Sequence, residues 1–135
     1  MQNALKHFRK SLQILPKNAD ASLKLAQVFE MLQQRDSAKY YYQQTVVNKP
    51  QYYIGWDNLG AMWANEGKFD SALHCFNQAY IADSTQEMTL LNLMVAHINL
   101  NHPNEAELYG KKALDLGYTN PKISELMKKV GEMRR

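Results

Sequence analysis

The segment from Tyr53 to Gln86, YIGWDNLGAMWANEGKFDSALHCFNQAYIADSTQ, decides the fold of this chain. It contains two stretches in which apolar residues recur at helical spacing, and this pattern predicts two amphipathic helices. Gly67 lies between them, where a glycine permits the tight turn that joins two antiparallel helices. The segment therefore predicts a helical hairpin of about 34 residues.

The landmarks of this hairpin recur one period before it and one period after it. A shift of 34 residues aligns a column of alanines, Ala4, Ala38, Ala72 and Ala106. The same shift aligns a second column, Phe8, Tyr42, Phe76 and Gly110, and a third, Leu25, Leu59 and Leu93. A period of this length indicates stacked helical hairpins, which bury their apolar faces against each other rather than in one closed core.

The spacing of its landmark residues makes the central hairpin similar to the tetratricopeptide repeat (TPR) family. The matching positions are Trp56, Leu59, Gly60, Trp63, Gly67, Phe69, Ala72, Phe76 and Ala79, with Trp63 in the place usually held by tyrosine. The neighbouring units depart from the family pattern at Ser22, Ala26, Met94, His97 and Gly110. The resemblance implies an all-α fold, a right-handed superhelical solenoid of stacked antiparallel helix hairpins with about seven or eight helices.

The repeat register divides the chain into five parts. We expect the second helix of a partial repeat at 1–18, full repeats at 19–52, 53–86 and 87–120, and a C-terminal capping helix at 121–135. Ala4 and Phe8 are second-helix landmarks, so the chain begins inside a repeat. We therefore expect it to be a fragment of a longer protein.

Composition and charge exclude several classes of function. The chain has 135 residues and a net charge of +3 from 16 basic and 13 acidic residues, which lacks the dense basic stripe expected of a nucleic-acid-binding protein. The basic pairs at 128–129 and 134–135 are interpreted as the cationic end of a helix. No apolar run reaches the length of a membrane span and no signal peptide opens the chain, so we expect no direct membrane contact. The compartment stays open, with the cytoplasm favoured.

Catalytic and metal-binding patterns are not apparent in the sequence. The histidines, His7, His74, His97 and His102, show no metalloprotease motif or other metal-ligand spacing. Cys75 follows His74 directly, and neighbours on a helix point about 100° apart, so they form no catalytic dyad. The glycines are scattered and build no phosphate loop. The sequence therefore predicts a protein that is not an enzyme and uses no cofactor or metal.

The TPR resemblance implies that the first helices of the repeats line a concave peptide-binding groove. One inner column contains Lys24, Asn58 and Asn92, and a second, two turns along, contains Met31, Asn65 and Asn99. Side-chain amides both donate and accept, as does the backbone of an extended peptide. The Asn58 and Asn92 column also resembles the asparagine ladder of O-linked N-acetylglucosamine transferases. The competing interpretation is that these asparagines are ordinary polar surface residues.

Chaperone-binding members of the family use lysine, asparagine and arginine on successive first helices to clamp two carboxylates. The corresponding positions here are Leu23 with Gln27, Asp57 with Ala61, and Leu91 with Val95. The clamp is absent, so an acidic chaperone C-terminus is disfavoured. The apolar residues at these positions, together with Ile98, predict a groove with apolar pockets; they are Leu23, Ala61, Leu91 and Val95. We expect Asp57 to accept a basic residue of the ligand.

Two alternatives to peptide binding stay open. The truncated opening helix leaves one end of the array unpartnered, so the chain is also compatible with self-association or with assembly inside its parent protein. It is also compatible with an accessory segment of an enzyme or membrane protein. Protein or extended peptide is the expected partner in the favoured interpretation, and a homo-oligomer is allowed.

Overall fold

The computed structural model describes residues 18–135, so the predicted helix at 1–18 lies outside the described residues except for Asn18. This part of the chain contains seven α-helices and no strands. In chain order they are α1 (Ala19–Met31), α2 (Arg35–Asn48), α3 (Tyr53–Asn65), α4 (Phe69–Ala82), α5 (Glu87–Asn99), α6 (Pro103–Asp115) and α7 (Pro121–Met133). The prediction of an all-α fold is confirmed.

Helix contacts follow the order of the chain. Each helix packs against the next one, and in addition α3 packs against α5 and α5 against α7. Among the first helices of the hairpins, α3 therefore contacts α5 directly, and each second helix packs against the first helices that precede and follow it. This arrangement is the predicted solenoid of stacked hairpins, in which every interface is local.

Three hairpin turns use the same backbone conformation at positions 34 residues apart. Gln33, Gly67 and Asn101 have φ angles of 60°, 76° and 62°. A left-handed residue after a helix lets the last turn close and reverses the chain direction. Glycine adopts this conformation freely and asparagine is tolerated, whereas glutamine is strained in it. The turn geometry is thus repeated although its sequence is not.

Gly60 of α3 lies where α3 and α4 approach closely. A Cβ atom placed on Gly60 would lie 2.4 Å from Phe76 Cε1 and 3.1 Å from Cys75 Cβ. Any larger residue would push α3 and α4 apart. Ala72, on the facing side of α4, is fully buried. The helix-propensity cost of a glycine, about 1 kcal/mol, is therefore offset by close packing.

The last described helix, α7, packs on the hairpin formed by α5 and α6. Ile123, Leu126 and Val130 are buried on its inner side, packed towards α5 and α6. Its N-cap residue Asn120 accepts a hydrogen bond from the Lys122 amide and donates one to Glu87 Oε1 of α5 (3.2 Å). The apolar side of α7 thus packs on the preceding hairpin.

Within residues 18–135, no helix is both long and apolar enough to cross a membrane.

Candidate peptide-binding groove

The predicted groove residues lie on α1, α3 and α5, the first helices of the three hairpins, and the surface that these residues occupy is the inner face. They differ in how accessible they are. The exposed residues are Lys24, Gln27, Met31, Asn65 and Asn99. The half-buried residues are Asn58, Ala61, Asn92 and Val95, and the buried ones are Asp57 and Leu91.

Asp57 connects α3 to α5 and is only 7% exposed. Thr89 Oγ1 donates a hydrogen bond to Asp57 Oδ2 (2.6 Å), and Asn92 Nδ2 donates one to Asp57 Oδ1 (3.4 Å). Burial raises the pKa of the Asp57 carboxyl, and the two hydrogen bonds oppose this increase. Since both oxygens are engaged inside the protein, we revise the prediction that Asp57 accepts a basic ligand residue.

The apolar pockets predicted at Leu23 and Leu91 are also revised. Leu23 packs in the cluster around Phe29, and Leu91 packs in the cluster around Leu90 and Ile123. Like Asp57, these residues occupy positions on a first helix that face its neighbours, so their side chains fill space between helices. The accessible apolar strip of the inner face consists of Ala61, Val95 and Ile98, which are half-buried.

The four asparagines of the predicted ladders do not behave alike. Asn92 is engaged by Asp57, and Asn99 Nδ2 donates to Val95 O of its own helix (2.8 Å). Within residues 18–135 the Asn58 amide has no hydrogen-bond partner, and Asn65 lines a cleft. Two of these four amides therefore have hydrogen-bond partners in the fold, and within residues 18–135 the other two have none.

The cleft has a volume of about 540 Å³ and lies between the C-terminal ends of α1 and α3. Its lining residues are Glu30, Gln33, Arg35, Met62 and Asn65. Glu30 accepts a hydrogen bond from Tyr42 Oη (2.5 Å), and burial together with this carboxylate raises the pKa of Tyr42. Sequence reasoning missed Glu30 and Arg35, although Glu30 directly precedes Met31 of the predicted inner column.

The turn between α5 and α6 brings together three potential metal ligands. His97 Nδ1 lies 3.2 Å from His102 Nδ1, and one carboxylate oxygen of Glu105 lies within 4.8 Å of the ligand atoms of both histidines. His97 is buried, whereas His102 and Glu105 are exposed. No metal-ligand spacing is recognisable here in the sequence, because the turn between the two helices sets the distance.

A family model and individual proteins resemble this chain. Residues 22–128 match the model described as the cilia and flagella-associated protein 70 middle TPR-like domain. The RNA polymerase-associated protein CTR9 of Caenorhabditis elegans is 28% identical over 80 residues, which are 58% of this chain and 7% of that protein. The chain thus spans a small part of the length of this curated relative.

Solved structures share the fold at low sequence identity. The crystal structure of MamA has a TM-score of 0.87 at 14% identity, covering 96% of this chain and 71% of that one. The first TPR of Spaghetti (RPAP3), bound to the HSP90 peptide SRMEEVD, has a TM-score of 0.78 at 17% identity, covering 84% of this chain and 93% of that one. These likenesses show the TPR fold. Because the family model spans most of the sequence, the chain belongs to the family of cilia and flagella-associated protein 70 middle TPR-like domains.

Proposed function

We propose that this domain is a non-catalytic protein-binding scaffold whose inner face, formed by α1, α3 and α5, receives an extended peptide segment. Stacked hairpins hold such a face rigid before the ligand arrives, so the entropy cost of ordering falls mainly on the ligand. TPR neighbours with bound peptide, such as the RPAP3 domain, support this class of function.

The observation that carries the proposal is that the side-chain amide of Asn58 is accessible and lacks a partner among the described residues. Its side chain is half-buried on the inner face, and its amide has no hydrogen-bond partner within residues 18–135. A side-chain amide offers two donors and one acceptor, which complement a peptide group. Ala61 lies one turn further along α3 and Asn65 one turn beyond it, at the cleft. Together they form a polar and apolar track along one helix.

The charge of the inner face distinguishes its ligand from that of the RPAP3 domain. The peptide in that structure, SRMEEVD, is rich in carboxylates. Here two of the clamp positions are the buried Leu23 and Leu91, and a third is the carboxylate Asp57. A peptide that ends in several carboxylates would find no cations at these positions. We therefore propose a ligand that is not acidic at its terminus.

A peptide display selection followed by point substitutions tests the proposal. Peptides selected on the purified domain would be measured against Asn58→Ala and Asn65→Ala by fluorescence anisotropy. Loss of one hydrogen bond, about 1 kcal/mol, corresponds to roughly a fivefold weaker affinity for each variant. Asn92→Ala is unsuitable, because it also removes a bond to Asp57.

The control is Asn77→Ala, which removes a half-buried amide from the second helix α4. We expect this variant to bind as the wild type does. All three variants should change the free energy of unfolding by about 0.5 kcal/mol or less, as is usual for surface sites. If the selected peptides bind both Asn58→Ala and Asn65→Ala with unchanged affinity, the peptide binds elsewhere and the proposed groove is wrong.

Self-association is the second candidate, because two exposed apolar residues recur at the same position of successive second helices. Val47 on α2 is 70% exposed and Ile81 on α4 is 75% exposed. Multi-angle light scattering distinguishes this candidate from the first. A dimer that becomes monomeric in Val47→Glu and Ile81→Glu variants would favour assembly, whereas a wild-type monomer would exclude it.

A further inference from the structure

His97, His102 and Glu105 lie together where α5 turns into α6. His97 is in the last turn of α5, His102 is the N-cap residue of α6, and Glu105 lies in the first turn of that helix. One ligand atom from each of the three residues lies within 4.8 Å of the others. The cluster is built from the turn itself, and none of its three residues belongs to the predicted groove residues.

The backbone fixes both histidines. The His102 amide donates a hydrogen bond to His97 O (2.7 Å), and Asn101 between them adopts a φ of 62°. Pro103 follows His102 and restricts the backbone of the residue before it. The His97 ring also stacks on Tyr109, with centroids 5.7 Å apart and planes 11° apart. The backbone of both histidines and the ring of His97 are therefore held in place by the protein.

The distances suit one small metal ion. Zn²⁺ binds imidazole nitrogen and carboxylate oxygen at about 2.0–2.2 Å, so two tetrahedral ligands stand about 3.3–3.6 Å apart. The two Nδ1 atoms are 3.2 Å apart. Glu105 is exposed, so a change of side-chain rotamer can bring its carboxylate the remaining distance.

We propose that His97, His102 and Glu105 bind Zn²⁺ through the two Nδ1 atoms and one carboxylate oxygen, with a fourth position open to water or to a ligand from a partner protein. Such a site would join the end of α5 to the start of α6. The competing explanation of the 3.2 Å distance is a hydrogen bond between two neutral imidazoles, in which one ring donates its N–H to the other.

Calorimetric titration of the tag-free domain with ZnCl₂ tests the site. We expect one Zn²⁺ per chain, and we expect His102→Gln and Glu105→Gln each to weaken binding tenfold or more, since each removes one ligand. Both substitutions are at exposed residues, and circular dichroism would verify that the variants keep the helix content of the wild type. Titration with Co²⁺ should give the strong visible absorption of a tetrahedral site in the wild type but not in His102→Gln or Glu105→Gln.

The control variants are His74→Gln, which changes an exposed histidine on α4, and His7→Gln. Both should bind Zn²⁺ as the wild type does. The thermal midpoint should rise with Zn²⁺ in the wild type and in the controls but not in His102→Gln. Absence of stoichiometric Zn²⁺ binding, or unchanged affinity in His102→Gln, would overturn the site and leave the hydrogen-bonded pair. The outcome is independent of peptide binding by the inner face.

Discussion

Met94 of α5 fills the space over Gly110 of α6, so that a Cβ atom on Gly110 would lie 2.9 Å from Met94 Cε. In the preceding hairpin the order is reversed. Gly60 takes the position of Met94, and Phe76 takes the position of Gly110. Large and small residues are exchanged across the same interface, and the total volume is roughly maintained. Cores tolerate such compensated changes well.

Substitution of alanine for these two glycines should change the free energy of unfolding by different amounts. In Gly60→Ala the new methyl group meets the Phe76 ring, 2.4 Å and 2.7 Å from two of its carbon atoms. A ring clamped between two helices cannot yield, so we expect a loss of about 1–3 kcal/mol in the free energy of unfolding, even after the gain in helix propensity. Urea denaturation followed by circular dichroism measures the loss.

Gly110→Ala is the matched comparison. Its methyl group meets Met127 Sδ and Met94 Cε, the ends of two flexible side chains. These ends can rotate away, so the cost should be largely cancelled by the gain of about 1 kcal/mol in helix propensity. Equal destabilisation by the two substitutions would show that the exchange of sizes does not explain the interface.

Gln33 predicts a stabilising substitution. It has a φ of 60°, which is unfavourable for a residue with a Cβ atom, whereas Gly67 occupies the equivalent position of the next hairpin. Gln33→Gly should remove this strain and raise the free energy of unfolding by about 1 kcal/mol. Thermal and urea unfolding would both show the gain.

The adjacent Gln34 provides the control. Its φ is −97°, so glycine there relieves no strain. Gln34→Gly should leave stability unchanged or lower it slightly, through the greater entropy of the unfolded chain. A stabilisation of the same size in both variants would mean that the left-handed backbone at Gln33 is not the cause.

The fold is predictable from the sequence because its signal is repeated. Two columns of apolar residues recur every 34 residues, and this recurrence predicts that they are buried. All six residues are buried in the structure: Leu25, Leu59 and Leu93, and Ala38, Ala72 and Ala106. The backbone conformation of the turns is harder to predict from the sequence, because Gln33 and Asn101 adopt the positive φ of Gly67 without being glycine. There the packing of the helices overrides the local preference.

The groove is less predictable, because the register gives the face of a helix but not what covers it. Asn58 and Asn92 occupy equivalent columns, yet Asn92 is taken up by Asp57. That contact joins residues 35 apart on two helices, and neither the column nor the residue type signals it. The cluster of His97 and His102 has the same origin, since it depends on the turn at Asn101. Contacts between elements decide which predicted residues stay accessible.

Cys75 predicts an unreactive thiol. It is 3% exposed, and burial raises the pKa of its thiol to about 12. The thiolate is the reactive species, so little of it exists in the folded protein near neutral pH. We expect the native domain to react with Ellman's reagent far more slowly than free glutathione does. Absorbance of the released thiolate measures the rate.

Denaturant provides the control for Cys75. The labelling rate should rise with urea in parallel with the fraction of unfolded protein. His74→Gln should label at the wild-type rate, because the neighbouring imidazole points elsewhere on the helix. Labelling of the native domain as fast as glutathione would show that the thiol is accessible and activated.

Replacing the buried carboxylate of Asp57 by a neutral amide should change the free energy of unfolding by an amount that depends on pH. Burial raises its pKa in the folded protein above that in the unfolded chain, so folding favours the protonated form. The free energy of unfolding of the wild type therefore gains a contribution that is fully present below the unfolded pKa and is lost as pH rises through the folded pKa. Asp57→Asn keeps an oxygen for the Thr89 hydroxyl and carries no charge at any pH. We expect Asp57→Asn to be more stable than the wild type at neutral pH by on the order of 1 kcal/mol, and this difference should shrink as the pH falls towards the acid range. Urea titrations of both proteins across this range measure this difference.

Thr89→Val is the companion variant for Asp57→Asn, because it leaves the charged carboxylate with Asn92 alone and should cost about 1–3 kcal/mol in the free energy of unfolding at neutral pH. A stability difference between Asp57→Asn and the wild type that grows on acidification would reverse the sign of the linkage and contradict the assignment of Asp57 as a carboxylate destabilised by burial.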